Sequence, residues 1–213
     1  MVNKTDLICG EIHKFANNLK KYFFPFNIDE IPKNGVYILF QKGERAHGGD
    51  RIVRIGTHNG RDQLPSRLLQ HFMNENKDRS IFRKNIGRAI LNKDNDPFLK
   101  DWEIDLTTKA SKKKNKNIDL SRQKEVEKEV TKYIRENFFF VIVPVGDKDE
   151  RLRAESKLIS SVSLCKDCKP CSDWLGFYSS KEKIRKSGLW LVNELWKTPF
   201  NGKEFKNFIQ KVY

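Results

Sequence analysis

Apolar positions along this chain recur with two periods, and the change from one to the other marks the elements. Between residues 5 and 21, Leu7, Ile8, Ile12, Phe15 and Leu19 are spaced as on one face of a helix. Pro25 and Pro32 then break the chain. Gly35-Val36-Tyr37-Ile38-Leu39-Phe40 has the composition of a strand, residues 43–50 that of a turn, and Arg51-Ile52-Val53-Arg54-Ile55-Gly56 that of the return strand of a hairpin. Leu64, Leu68 and Phe72 line a helix over 64–73, with Pro65 in the first turn, where its missing N–H is tolerated. A further helix is expected over 80–91. Residues 109–117 are polar, basic and aperiodic, which predicts a mobile loop, and a charged helix follows to about 137. Phe138 to Val145 is apolar on both faces, as expected of a strand covered on both sides, with Pro144 ending its ladder. Residues 149–162 return to helical spacing. Beyond Cys171, helices separated by Gly176, Gly188 and Gly202 are expected to wrap the sheet.

Charge adds the first functional hint. Of 213 residues, 42 are Lys or Arg and 28 are Asp or Glu, giving a net charge of +14 and an isoelectric point near 9.6. Such an excess attracts polyanions, and phosphate contacts from Lys and Arg supply most non-specific nucleic-acid affinity. A membrane surface fits less well: no basic amphipathic segment has a bulky apolar face, the start lacks an apolar leader, and the longest apolar run is too short to span a bilayer. Four cysteines in a lysine-rich chain point to a reducing, cytoplasmic setting.

Three features invite chemistry. Glu155 shares the inward stripe of its helix with Leu152, Ile159 and Val162. A carboxylate there must be paired or metal-bound, since an uncompensated buried charge is costly. Either an ion pair with Arg151 or Arg153, or a functional role, meets that demand. Arg67 and His71 project from one side of their helix. They form either a solvated basic face or a phosphate-handling pair, the arginine neutralising developing charge and the histidine moving protons. Tyr37 shares a strand face with Leu39, opposite Val36, Ile38 and Phe40. Val53 and Ile55 are expected to share a face of the return strand, leaving Arg54 opposite them. A strand tyrosine is usually core, whereas an arginine within an apolar strand needs a reason.

Together these residues resemble the GIY-YIG endonuclease superfamily. Gly35-Val36-Tyr37 matches the GIY element, and Arg54-Ile55-Gly56 stands where the YIG element belongs. Leu64-Pro65-Ser66-Arg67-Leu68-Leu69-Gln70-His71 is similar to the helix carrying that family's invariant arginine. Ala154-Glu155-Ser156-Lys157-Leu158-Ile159 is similar to the later helix carrying its metal-binding glutamate. The resemblance implies an α+β fold, a small three-stranded antiparallel sheet flanked by helices, here with extra N- and C-terminal helices. The chain is accordingly expected to be a single domain, with a nuclease core at 33–163 and helical embellishments at 1–32 and 164–213.

The implied activity is metal-dependent hydrolysis of DNA phosphodiesters by a monomer or homodimer, with RNA as a second candidate substrate. Tyr37 would activate or orient the attacking water. A phenol titrates near pH ~10, so cations such as Arg54 and Arg67 are needed beside it. Arg67 would also hold the scissile phosphate. Glu155 would bind Mg²⁺, with Mn²⁺ as an alternative, to stabilise the leaving oxygen. His71 would assist at the phosphate or share the proton work, and His58, just after the second strand, is a further candidate. One departure stands out: Arg54 replaces the YIG tyrosine. Arginine cannot accept a proton at neutral pH, but it can bind phosphate or stabilise a phenolate. The alternative from another class is a catalytically impaired member that retains nucleic-acid binding.

Lys112, Lys113, Lys114 and Lys116 in the 109–117 loop, with the basic C-terminal helices, are expected to hold the DNA backbone. Cys165, Cys168 and Cys171 have metal-like spacing, and Cys9 has His13 one turn on, but structural zinc usually takes two separated pairs. Reduced thiols in a loop are the expectation, with zinc as the alternative. The tail aromatics Trp174, Trp190 and Trp196 are expected to be core rather than base-stacking platforms.

Overall fold

The structure, a computed structural model, describes residues 4–212; the first three residues, on which the reading of the chain's start partly rests, lie outside that range. The elements are α1 (Lys4–Asn17), β1 (Tyr22–Phe23), β2 (Gly35–Ala46), β3 (Gly49–Gly56), α2 (Leu64–Phe72), α3 (Ile81–Lys93), α4 (Leu99–Trp102), α5 (Lys109–Lys114), α6 (Leu120–Asn137), β4 (Phe138–Pro144), α7 (Lys148–Ser163), α8 (Glu182–Ser187) and α9 (Gly202–Val212). The strands form one antiparallel sheet in the order β1-β4-β2-β3. The sheet is therefore mixed with helices as expected but has four strands rather than three. The extra strand, β1, has two residues and pairs with the outer edge of β4. Two residues carry no period, so periodicity could not have found it.

Alternation along the strands divides the apolar side chains between two cores. Val36, Ile38, Phe40, Ile55, Val141 and Val143 pack against α1, α7 and α9. Tyr37, Leu39, Val53, Phe138, Phe140 and Ile142 face α2, α3, α6 and the tail residues Trp174 and Trp190. Covering both faces explains why β4 is apolar throughout. Side-chain caps fix the helix starts: Ser80 accepts the Arg83 N–H, Asp119 those of Ser121 and Arg122, and Asp147 that of Glu150.

Four further expectations change. Val53 and Ile55 do not share a face, because the β2–β3 register slips between Leu39 and Phe40 and leaves Val53 as the extra residue of a bulge. Arg54 nevertheless pairs with Leu39, which sets it on the face of Tyr37. Residues 109–114 are a short helix capped by Thr108, rather than a loop. On α7 the buried stripe runs through Arg151, Ala154 and Leu158, so Glu155 sits half-buried on the stripe's border. Trp174 and Trp190 are core as expected, whereas Trp196 is 41% exposed. None of the described helices is long and apolar enough to cross a membrane.

Candidate active site

Tyr37 lies between Gly56 on β3 and Ile142 on β4, and its ring passes directly over Gly56. A Cβ at position 56 would stand 2.2 Å from Tyr37 Oη, so the bare glycine is what admits the phenol. Tyr37 Oη is 2.9 Å from His71 Nε2, and His71 Nδ1 is 2.7 Å from Ser80 Oγ, which also accepts the Arg83 N–H. Burial, reinforced by the charges of Arg67, Arg54 and Arg83, pushes the His71 pKa well below the ordinary imidazole value. The ring is neutral, with one nitrogen able to donate and the other to accept.

Arg54 is buried on the same face. One guanidinium nitrogen donates to the Trp190 carbonyl, the group lies 5.2 Å over the Phe82 ring, and its Nε has no partner among the described residues. The Trp190 N–H in turn donates to the Val53 carbonyl at 2.8 Å. Arg54 and Glu155 line a cleft of about 410 Å³ with Asn85 and Asn193, a volume within the range of about 300–1,000 Å³ usual for ligand pockets. Glu155 Oε1 accepts the Thr57 N–H at 3.1 Å. Burial raises the Glu155 pKa, against the opposing pull of Arg54. Among the described residues no basic side chain forms an ion pair with Glu155; Arg151 instead donates to backbone carbonyls, including that of His58.

Arg67 and His58 line an adjoining groove that also takes in Thr57 and Gln70. Arg67 donates to Gln70 Oε1 at 3.0 Å and to the Arg79 carbonyl at 3.1 Å. His58 Nδ1 lies 2.7 Å from the Gly60 carbonyl, which assigns its proton there, and Nε2 is buried without a partner among the described residues. Burial lowers the His58 pKa.

All six residues anticipated as catalytic thus surround the end of β3, but in two compartments. Arg54 and Glu155 face one cleft, His58 and Arg67 the next, and the Tyr37–His71 pair is buried beside them. Thr57 joins the compartments: its N–H donates to Glu155, its hydroxyl to the Gly35 carbonyl at 2.8 Å, and the residue lines the Arg67 groove. The charges of Arg54 and Arg67 act on both Glu155 and His71. The lysines lie further off: Lys112 and Lys116 line a groove linked to that of Arg67 only through an intervening one lined by Gln70 and Arg79, while Lys113 and Lys114 are exposed outside it. Sequence reasoning missed Thr57, the Ser80 hydrogen bond and the Trp190 carbonyl. Ser80 had a visible signal, a serine just ahead of an apolar periodic run; a backbone carbonyl 136 residues from its partner had none.

Among protein families, the model described as "GIY-YIG domain" matches residues 15–212. No curated protein and no solved structure gives a significant match.

Proposed function

The chain belongs to the GIY-YIG domain family, and from that premise we propose that it is a divalent-metal-dependent endonuclease cutting DNA phosphodiesters. The observation that carries this reading is the gathering at the end of β3 of Arg54 and Glu155 in one cleft, Arg67 in the next, and the hydrogen-bonded Tyr37–His71 pair beside them.

The residues suit a divalent ion. Glu155 faces the cleft, has one oxygen committed only to a backbone N–H, and has no cationic side chain paired with it among the described residues. Mg²⁺ is commonly held by one or two carboxylates together with substrate phosphate and water. Glu155 would hold Mg²⁺, or Mn²⁺ in its place. The ion, when bound, supplies Lewis-acid stabilisation of the leaving oxygen.

The remaining work falls to the chain's own groups. Arg67 exchanges its neutral partners, Gln70 and the Arg79 carbonyl, for the scissile phosphate, a stronger charge-assisted interaction. Tyr37 orients the attacking water, its hydroxyl held by the neutral His71 through Nε2 while His71 Nδ1–H is held by Ser80 Oγ. Arg54 favours negative charge developing on the phenol as its oxygen draws the proton of the attacking water. His58, neutral and with an open Nε2, is positioned to bond a phosphate-side hydroxyl or water.

From Arg67 the groove continues past Gln70 to Arg79 and then to Lys112 and Lys116 through shared lining residues. That track suits a nucleic-acid backbone, whose phosphate contacts position without specifying sequence. Purified protein should nick or cut plasmid DNA with Mg²⁺ or Mn²⁺, and the Glu155→Ala and Arg67→Ala proteins should not. Wild-type protein inactive on every DNA form across divalent metals would defeat the proposal. One observation favours the reading of an impaired enzyme that only binds nucleic acid: Tyr37 is just 1% exposed. That reading predicts salt-sensitive binding with no metal requirement, so a metal titration of binding beside cleavage separates the two.

A further inference from the structure

On the sheet face opposite Tyr37, three distant segments bring soft donors together. Cys9 and His13 come from α1, His47 from the turn between β2 and β3, and Cys168 from the segment after α7; one donor atom from each lies within 4.8 Å of all the others. Cys165 joins them, with its Sγ 3.4 Å from His47 Nε2 and its side chain in contact with Cys9. Cys171 does not: its thiol donates to Glu44 instead.

Five donors exceed a tetrahedron, and hydrogen bonding identifies the surplus one. His13 Nδ1 lies 2.9 Å from the Cys9 carbonyl, and its Nε2 accepts the Ile52 N–H at 3.1 Å. Both nitrogens of a neutral ring are therefore engaged. Among the described residues no backbone group competes in this way for His47 Nε2, which points at the Cys165 thiol. We propose that Cys9, Cys165, Cys168 and His47 bind one structural zinc ion, with His13 packed beside it and holding the Cys9 backbone.

The spacing fits. With Zn–S about 2.3 Å and Zn–N about 2.0–2.1 Å, the sulfur–nitrogen edge of a tetrahedral site is about 3.5 Å, and the Cys165–His47 pair stands at 3.4 Å. The backbone is shaped to match. Cys165 and Cys168 form a Cys-x-x-Cys element at the end of α7, tied to α1 by the Lys166 N–H donating to Asp6. His47 adopts a left-handed φ of 51°, followed by Gly48 at 75°. Such a turn is uncommon for a residue other than glycine, and it aims the imidazole back across the hairpin. The ion would join α1, the hairpin tip and the end of α7, closing a loop between residues 9 and 168 and stabilising the fold by linkage.

The test uses full-length protein purified without chelator, with metal measured by mass spectrometry. About one zinc per chain is expected. His47→Asn, which removes the imidazole but tolerates the left-handed backbone, and Cys165→Ser with Cys168→Ser should bring zinc close to zero. Cys171→Ser, His13→Gln and Glu155→Ala should retain it. If the cysteine variants fail to fold, Co²⁺ exchanged into the wild-type protein keeps the proposal testable: tetrahedral ligand-field bands with thiolate charge transfer are expected. Folded wild-type protein without zinc that takes up neither Zn²⁺ nor Co²⁺ would overturn the site. Zinc lost in His13→Gln but kept in His47→Asn would overturn the ligand assignment. Neither readout depends on DNA cleavage, so this inference and the proposed activity stand or fall separately.

Discussion

Replacing Gly56 with alanine probes the join between sheet packing and chemistry. The added methyl would lie 2.2 Å from Tyr37 Oη, 2.4 Å from Cζ and 3.0 Å from Cε1. Ordinary contact begins near 3.4 Å, so the hydroxyl must retreat by about 1.2 Å. Two costs follow. Overpacking a close-packed interior costs about 1–3 kcal/mol, and stranding the buried partners of a broken hydrogen bond costs about 1–3 kcal/mol more. A combined loss of about 2–6 kcal/mol should appear as a lower urea midpoint at unchanged slope. Because a displacement near 1 Å at a reacting group can cost on the order of 100-fold in rate, single-turnover plasmid nicking should fall by a similar factor. A cycle with Tyr37→Leu isolates the cause: with the ring gone, Gly56→Ala should cost much less than it does in the wild-type background. Stability within about 0.5 kcal/mol of wild type, the usual span for a harmless surface change, together with undiminished nicking, would refute the packing argument.

Three further outcomes can be measured. Glu127→Ala strips the fully buried Arg83 of its carboxylate partner, 2.7 Å away; breaking a buried pair from one side costs about 3–5 kcal/mol, which chemical denaturation will register. His71 is held neutral in the fold, so below an ordinary imidazole value of about 6.5 the unfolded chain takes up a proton that the folded chain refuses. Its contribution is present above that value and is lost as pH falls, with His58 adding in the same sense; thermal melts of His71→Gln should therefore depend less on pH on the acid side, and an unaltered slope would count against a neutral His71. Lys112→Ala with Lys116→Ala should make the logarithmic salt dependence of DNA binding shallower by about 2, at roughly 0.9 for each phosphate no longer neutralised, whereas an unchanged slope would remove these lysines from the binding track.

Much of the fold was legible because it rests on periodicity. β2, β4 and the long helices α1, α2, α3, α6 and α7 lie where they were expected, whereas residues 43–50, expected as a turn, are mostly strand: β2 runs on to Ala46 and β3 starts at Gly49, leaving only His47 and Gly48 between them. Misreadings arose where periodicity has no purchase. The bulge at Val53 depends on which backbone groups pair across two strands. Helix α5 is a six-residue lysine-rich turn set by the Thr108 cap rather than by an apolar face. The α7 stripe was displaced by one position because Leu152 and Glu155 look onto the cleft and not the core. At the site, order and spacing of motif residues carried the expectation, and the structure gathers them at one strand end. The cysteines show the limit of local spacing: Cys171 appeared to belong with its neighbours, yet the partners of Cys165 and Cys168 lie on α1 and the hairpin.

The Trp190 hydrogen bonds also bear on how small a working unit can be cut from this chain. β3 is an edge strand, and the 188–191 segment covers part of its exposed side while giving Arg54 its hydrogen-bond acceptor. A fragment stopped at residue 163 would carry every motif residue, yet would bare ladder groups prone to intermolecular pairing and leave a guanidinium group stranded within an apolar wall. Any transplantable or miniaturised version must therefore run on through Trp196, whose indole donates to the Ser163 carbonyl and fastens the returning segment to the end of α7.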